Sequence, residues 1–222
     1  MCSQLFQVQL NSIELLQNKQ MKANTKPKAV LMDFHRTLTF DLFWETLPEY
    51  TGRINDFLFV EPSQTANLWL RGKISAEDVT EIVADEFRLS YDFLWETLAD
   101  ECARRSFVNG ILPKLSQLRQ TIPVAMVTDN MDVLERFTVP RLMLDKFFSS
   151  IVSSHQLGFL KLEREGQFFF EAAERIGVPI TNCLLFDDSP ETCDLFRTIG
   201  GQAQQVFPDT DLAGHIQSLL RV

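Results

Sequence analysis

The sequence predicts an α/β fold: a parallel sheet with helices on both faces, interrupted early by a long helical insertion. Three observations predict it. From Gly110 onward, short apolar runs alternate with helix-patterned segments, as in chains that build parallel sheets. The runs "AVLM", "IPVAMV" and "NCLLF" each end in polar residues: Asp33, Thr128 and the pair Asp187-Asp188. Between the first two runs, from about Leu42 to Arg105, helical patterns dominate.

Residues 1–27 read as a leader. They are rich in Gln and Asn, with Leu5, Val8, Ile13 and Leu16 loosely spaced, and "MKANTKPKAV" from Met21 resembles an ordinary start. The leader is therefore expected to be dispensable. "AVLM" (29–32) is the first buried strand. In the insertion, "SAEDVTEIVADEF" begins with Ser75 as a helix cap and Asp78 completing a capping box. Val79, Ile82, Val83 and Phe87 follow at helical spacing. Pro48, Gly52, Pro62 and Gly72 punctuate the region, and Trp44, Trp69 and Trp95 all fall in it.

Next, "ILPKLSQLRQ" reads as a helix, and "IPVAMV" as a strand ending at Thr128-Asp129-Asn130. A helical stretch leads to "FFSSIVSS", a strand candidate. "EGQFFFEAAERIG" is a helix closed by Gly177. "NCLLFDD" is a strand ending in acids, "PETCDLFRTIG" a helix stopping at Gly200, and "QAQQVF" a weak last strand. With right-handed crossovers this is a doubly wound, Rossmann-like sheet.

Charge and cysteine usage narrow the partners. The net charge of −9 and pI near 4.9 repel polyanions, so neither nucleic acid nor an anionic membrane is expected. Cys2, Cys102, Cys183 and Cys193 form no CxxC pair, which points to reduced thiols in the cytoplasm. No apolar run approaches the roughly 18 residues of a membrane span, and the N-terminus lacks a signal-peptide pattern. The sequence leaves the oligomeric state open.

In an open parallel sheet the carboxyl ends of the strands share one edge, where ligands bind. Asp33, Thr128, Asp187 and Asp188 are thus candidates for one site. An Asp after a strand can equally be a turn former or helix cap. Adjacent Asp187 and Asp188 repel unless a cation neutralises them, and with Asp33 they make a hard oxygen site suited to Mg²⁺. The bland alternative is one solvated acid and one cap for the helix at Pro190.

Four segments in order resemble the motifs of the haloacid dehalogenase-like (HAD) superfamily. "VLMDFHRTLT" is similar to its strand leading into DxDxT, and "VAMVTDN" to its strand ending in Thr or Ser. "LGFLKLE" has a Gly with Lys three residues on, and "LLFDDSPETCDLFRTIG" a paired acid before a helix. "WLRGKISAEDVTEIV" is similar to a phrase common in the family's helical caps. The resemblance spans about residues 28–207. It implies a core of 28–41 and 107–222 and a cap of 42–106 serving as a lid. The aromatics Phe43, Trp44, Phe57, Phe59, Trp69, Phe93 and Trp95 are then mostly cap core.

The resemblance further implies an Mg²⁺-dependent phosphohydrolase of a small phosphorylated metabolite, working through an aspartyl-phosphate. Asp33 would be the nucleophile. Thr128 and the amides after it would hold phosphate oxygens, and Lys161 would balance charge. The metal would take Asp33, the backbone carbonyl of His35, and Asp187 or Asp188. His35 is a departure, because family phosphatases carry an acid/base Asp there; an imidazole can in principle do that work. Arg36 stands where Gly is frequent, Leu162 where Pro often follows the Lys, and Thr192 where Asn is often seen. Two other readings stay open: cleavage of C–P or C–halogen bonds, or a non-catalytic sensor or partner-binding module. A C–P enzyme needs a cap lysine, for which Lys73 is the only candidate. C–halogen relatives lack the paired acids.

Overall fold

The computed structural model describes residues 26–60 and 63–221. The expected leader falls outside these residues, apart from Lys26 and Pro27. Among the described residues five strands form one all-parallel sheet: β1 (Ala29–Met32), β2 (Val124–Thr128), β3 (Ser150–Ser153), β4 (Cys183–Asp187) and β5 (Gln202–Gln205). Their order is β3-β2-β1-β4-β5, with every neighbouring pair parallel. The central strands are buried along their length, which explains their unbroken apolar runs. The chain winds outward from β1 to β3 on one side, then crosses to β4 and β5 on the other. The direction of winding therefore reverses between β1 and β4.

Among the described residues ten α-helices follow in chain order. The insertion after β1 holds α1 (Thr51–Asn55), α2 (Gln64–Leu70), α3 (Ala76–Phe87) and α4 (Tyr91–Ala103). The sheet is flanked by α5 (Ile111–Arg119), α6 (Val139–Leu142), α7 (Ser154–Leu157), α8 (Gln167–Ile176), α9 (Pro190–Thr198) and α10 (Leu212–Leu220). Val30 and Met32 of β1 join a core with Ile111, Leu115 and Leu118 of α5 and Leu212 and Ile216 of α10. Ala29 and Leu31 join the opposite core, with Phe168, Phe169 and Ala172 of α8 and Phe196 of α9. Alternate residues of one strand thus serve two helical layers.

The expected capping box is present: Ser75 Oγ accepts from Asp78 N, and Asp78 Oδ2 accepts from Ser75 N at 2.7 Å. The last helix, α10, lies beyond "QAQQVF", after which the sequence pattern predicts no further element. Gly214 and His215 interrupt its apolar pattern. The glycine has a structural cause: Asp211 caps the helix by accepting from Gly214 N at 2.8 Å, and a Cβ there would collide with that carboxylate. Among the described residues no helix is long and apolar enough to cross a membrane.

The inserted helices have their own core of Trp44, Leu58, Trp69, Val79, Val83, Leu94 and Leu98. Met131 and Val133, from the segment after β2, complete it. Trp44 and Trp69 are fully buried, and Phe57 and Trp95 pack at the edges, as expected of core aromatics. Phe93 is instead half exposed, and Phe43 and Phe59 face a cavity. Where the chain enters and leaves the insertion, Ser106 N and Oγ donate to the Asp41 carboxylate at 2.6 and 2.7 Å.

Buried Asp132 ties this layer to the sheet. It accepts from Trp69 Nε1 at 2.6 Å, Ala76 N at 3.2 Å and Arg136 Nη1 at 2.7 Å. Arg136 also reaches Glu77 of α3 at 2.5 Å, and Arg71 Nη2 meets Glu163 at 2.7 Å. Gly72 (φ +62°) lies so close to His155 that a Cβ would sit 2.8 Å from its carbonyl oxygen.

The Glu77–Arg136 contact carries a pH signature. Hydrogen bonds from Arg136 hold the Glu77 carboxyl down to about 2 from an ordinary 4.5, against a small opposing effect of burial. A carboxyl with a depressed folded pKa stabilises fully above its unfolded pKa and loses that contribution as pH falls through the folded one. Both side chains are more than a third exposed, so the effect is modest. Glu77→Gln should cost about 0.5–1 kcal/mol at pH 7. In urea unfolding, its difference from the parent should shrink as pH falls from about 4.5 toward 2.

Candidate active site

Parallel pairing between β1 and β4 brings two carboxylates together. Met32 is level with Phe186, so Asp33, just past β1, and Asp187, the last residue of β4, stand side by side at one edge of the sheet. Asp33 N still donates to Phe186 O at 2.9 Å. Both acids are buried, and Asp188 follows at a half-buried position. Oxygens of Asp33, Asp187 and Asp188 all lie within 4.8 Å of one another. The reversal of winding between β1 and β4 has therefore become an acidic cleft.

Lys161 answers that charge. Its buried ammonium donates to Asp33 Oδ1 at 2.9 Å and Asp187 Oδ2 at 2.7 Å. The loop carrying it is fixed by two carboxylates: Asp129 Oδ1 accepts from Lys161 N at 3.0 Å, and Glu163 Oε2 from Leu160 N at 2.7 Å. Burial works against a charged lysine here, but the attraction of Asp33, Asp187 and Asp129 outweighs it and raises the pKa. The acids experience the reverse balance. Burial lifts Asp33, Asp129 and Asp188, and takes Asp187 up to about 6, with Lys161 only partly compensating. The opposite tendencies follow from the count: one ammonium is attracted by three acids, while each acid has a share of one cation. The lysine stays protonated, and with Asp188 beside them the acids of the cleft outnumber their cations.

That surplus suits a hard divalent cation. The donors are carboxylate oxygens, three can converge, and no soft ligand stands among them. Asp33, Asp187 and Asp188 therefore fit Mg²⁺. His35 is not part of this side-chain cluster, so it could contribute only through its backbone carbonyl.

His35 follows in the turn after β1, where Arg36 N donates to Thr39 O at 2.7 Å. Its ring lines a cavity on the insertion side and keeps contact with solvent. Crowding by the protein, then the positive charges of Arg105 and Arg36, lower its pKa to about 4, with Asp41 opposing. Arg36 adopts φ +62°, a left-handed conformation that favours glycine, and its Nε lies 4.0 Å from Asp188.

Thr128 is buried at the end of β2, level with Ser153 of β3. Its hydroxyl has only long contacts of 3.4 Å, to Asp129 O and from Asn130 Nδ2. Not every amide after it is free for phosphate, as the resemblance implied. Asn130 N donates to Ser154 Oγ at 3.0 Å, and Met131 N to Asn130 Oδ1 at 2.9 Å. Asp129 and Arg105 were not singled out in the sequence. The only local signal for Asp129 was its place directly after Thr128, and Arg105 gave none.

No protein-family model and no curated protein sequence matches the chain. Solved structures do. A HAD family enzyme from Bacteroides thetaiotaomicron, in complex with magnesium and inorganic phosphate, superposes with TM-score 0.67 at 16% identity, over 85% of this chain and 98% of that one. The chain has the HAD-like fold. A predicted HAD-like family hydrolase from Porphyromonas gingivalis gives TM-score 0.65 at 18% identity, over 89% of this HAD-like chain and 100% of the other. The L-2-haloacid dehalogenase of Xanthobacter autotrophicus gives 0.62 at 16%, over 88% and 84%.

Lys161→Met removes the one ammonium between two buried carboxylates of this HAD-like cleft. Loss of one side of a buried ion pair costs about 3–5 kcal/mol. Urea unfolding near neutral pH with a chelator should register a loss of that size, and an unchanged midpoint would contradict the buried bridge.

Proposed function

We propose that the chain is an Mg²⁺-dependent phosphohydrolase. The observation carrying this reading is the buried Lys161 bridge between Asp33 and Asp187, with Asp188 beside it. A carboxylate held at a strand end, next to a fixed ammonium and a cation site, suits attack on an anionic phosphoryl group. Mg²⁺, held by Asp33, Asp187, Asp188 and the His35 carbonyl, would supply positive charge against the phosphoryl oxygens.

An Asp33 oxygen forms a bond to phosphorus, and the bond from phosphorus to the ester oxygen breaks. The departing alkoxide takes a proton from solvent and leaves as the alcohol. Water then attacks the aspartyl-phosphate, its proton passing to the His35 imidazole, and phosphate leaves with Asp33 restored. His35 returns the proton it gains in this second step to solvent. Lys161 holds its charge through both steps, beside Asp33 and Asp187. The Thr128 hydroxyl, weakly engaged within the protein, is available to a phosphate oxygen. The inserted helices serve as a cap that keeps bulk water away. A cytoplasmic setting and a small phosphorylated substrate belong to the same reading. The paired acids weigh against C–halogen cleavage, although a dehalogenase is among the structural relatives.

Asp33→Asn should abolish hydrolysis of p-nitrophenyl phosphate while leaving the circular dichroism spectrum unchanged. In the parent, millimolar Mg²⁺ should raise the melting temperature, since a ligand of the folded state stabilises it. Retained turnover in Asp33→Asn sinks the phosphohydrolase reading. A thermal shift with Mg²⁺ but no turnover of any ester by the parent would favour the non-catalytic module.

A second expectation concerns His35. His35→Ala should slow hydrolysis of phosphate esters by roughly 10²–10⁴-fold, the usual range for general acid–base catalysis. His35→Asp should keep or raise the parent's rate. Equal rates in parent and His35→Ala, followed by released phosphate, would reduce the histidine to a filler.

A further inference from the structure

A cavity of about 570 Å³ opens between the acidic cleft and the inserted helices. Its floor includes Asp129 and Asn130, and its near wall His35. It is far roomier than phosphate needs and falls within the roughly 300–1,000 Å³ of small-molecule sites. Its walls are largely apolar, with Leu42, Phe43, Phe59, Val60, Met131 and Val133 among them. Three of these are large hydrophobics left in contact with solvent: Leu42 at 40%, Phe59 at 39% and Val60 at 73% exposure. All three border the cavity, so their exposed surface is gathered where a ligand could cover it.

The polar side chains of the wall are mostly engaged within the protein. Arg105 donates through Nη1 to the carbonyl of Asp41, and its guanidinium lies 4.7 Å from the centroid of the Phe43 ring. Both Asp41 oxygens accept from Ser106. Asn55 Nδ2 donates to the carbonyls of Phe43 and Thr51, each at 2.8 Å. Thr138 Oγ1 donates to Cys102 O at 2.8 Å. Asp56 is exposed and stands on the lining. A sugar or polyol placed here would lose water from its hydroxyls and find few partners in return, which is unfavourable. An apolar group loses little and covers exposed hydrocarbon.

We propose that the cavity selects phosphate monoesters whose alcohol part is apolar, such as a medium-chain alkyl or an aryl group, over sugar and polyol phosphates. The proposal rests on the phosphohydrolase reading for its reaction. The hydrolysis is balanced by water alone: the monoester and water give the apolar alcohol and inorganic phosphate.

Primary alkyl phosphates test it, because methyl, butyl and hexyl phosphate differ in apolar surface far more than in leaving group. With Mg²⁺ present, kcat/KM should rise along the series, by at least about ten-fold from methyl to hexyl given the transfer energy of each methylene. Glucose 6-phosphate should fall below hexyl phosphate. In parallel, calorimetry with the non-hydrolysable hexylphosphonate and methylphosphonate reads binding without turnover. Phe59→Ser, shown to be folded by its melting curve, should shrink the hexyl-to-methyl ratio in both measurements. Turnover that is independent of chain length, or that favours glucose 6-phosphate, overturns the apolar preference and leaves the phosphohydrolase standing. Absence of all turnover, with hexylphosphonate bound more tightly than methylphosphonate, removes the reaction and keeps the ligand class. Equal binding of the two phosphonates overturns the proposal.

Discussion

One buried ammonium organises the acidic cleft of this molecule. Parallel pairing of β1 with β4 makes Asp33 and Asp187 neighbours at the carboxyl ends of their strands, in a place with little water. Two such carboxylates repel, and each is costly to keep charged. Lys161 makes the arrangement tolerable by donating to both. It arrives from a distant loop, so its position depends on Asp129 and Glu163, whose carboxylates hold the backbone of that loop. The compensation is partial. Asp188 adds a further acid, and three converging carboxylates suit the cleft to a hard cation.

The same logic of a carboxylate placed among donors fastens the inserted helices. Asp132 collects the Trp69 indole, the first amide of α3 and Arg136. It lies only four residues beyond Thr128. Within that short segment Thr128 and Asp129 border the cleft, Asn130 exchanges hydrogen bonds with Ser154, and Met131 enters the core of the inserted layer. A single loop after β2 thus links the cleft to the helices above it. Asp41 and Ser106 join the two crossings of the chain into the inserted helices.

The positions where the chain differs from the HAD motif it resembles have local physical consequences. Arg36 holds a backbone conformation in which a side chain is usually disfavoured, and the return is a cation near Asp188. His35 lies among Arg105, Arg36 and Asp41, and it presents a neutral ring at neutral pH. The family's Asp at this place would carry a negative charge toward the same groups. Exchanging one for the other changes the charge of the cavity mouth by one unit while leaving the three-carboxylate cluster intact.

The sequence by itself determined the sheet and most of its helices. Buried parallel strands must be apolar throughout, so "AVLM", "VAMVT" and "CLLFD" stood out against amphipathic helices such as "QFFFEAAERI". The acids at the strand ends were legible for the same reason, because a charge that closes an apolar run is conspicuous. Tertiary structure alone decided the rest. Helix α10 was hidden by Gly214, whose small size serves a cap bond that composition does not reveal. The sharing of Lys161 between two acids, the use of Asp129 to aim its loop, and the engagement of Asn130 N by Ser154 are contacts between residues 24 to 128 positions apart. The apolar cavity likewise combines the turn after β1, the inserted helices and the loop after β2. Periodicity reports only which face of a local element is buried, and it carries no information on which distant side chain will share that burial.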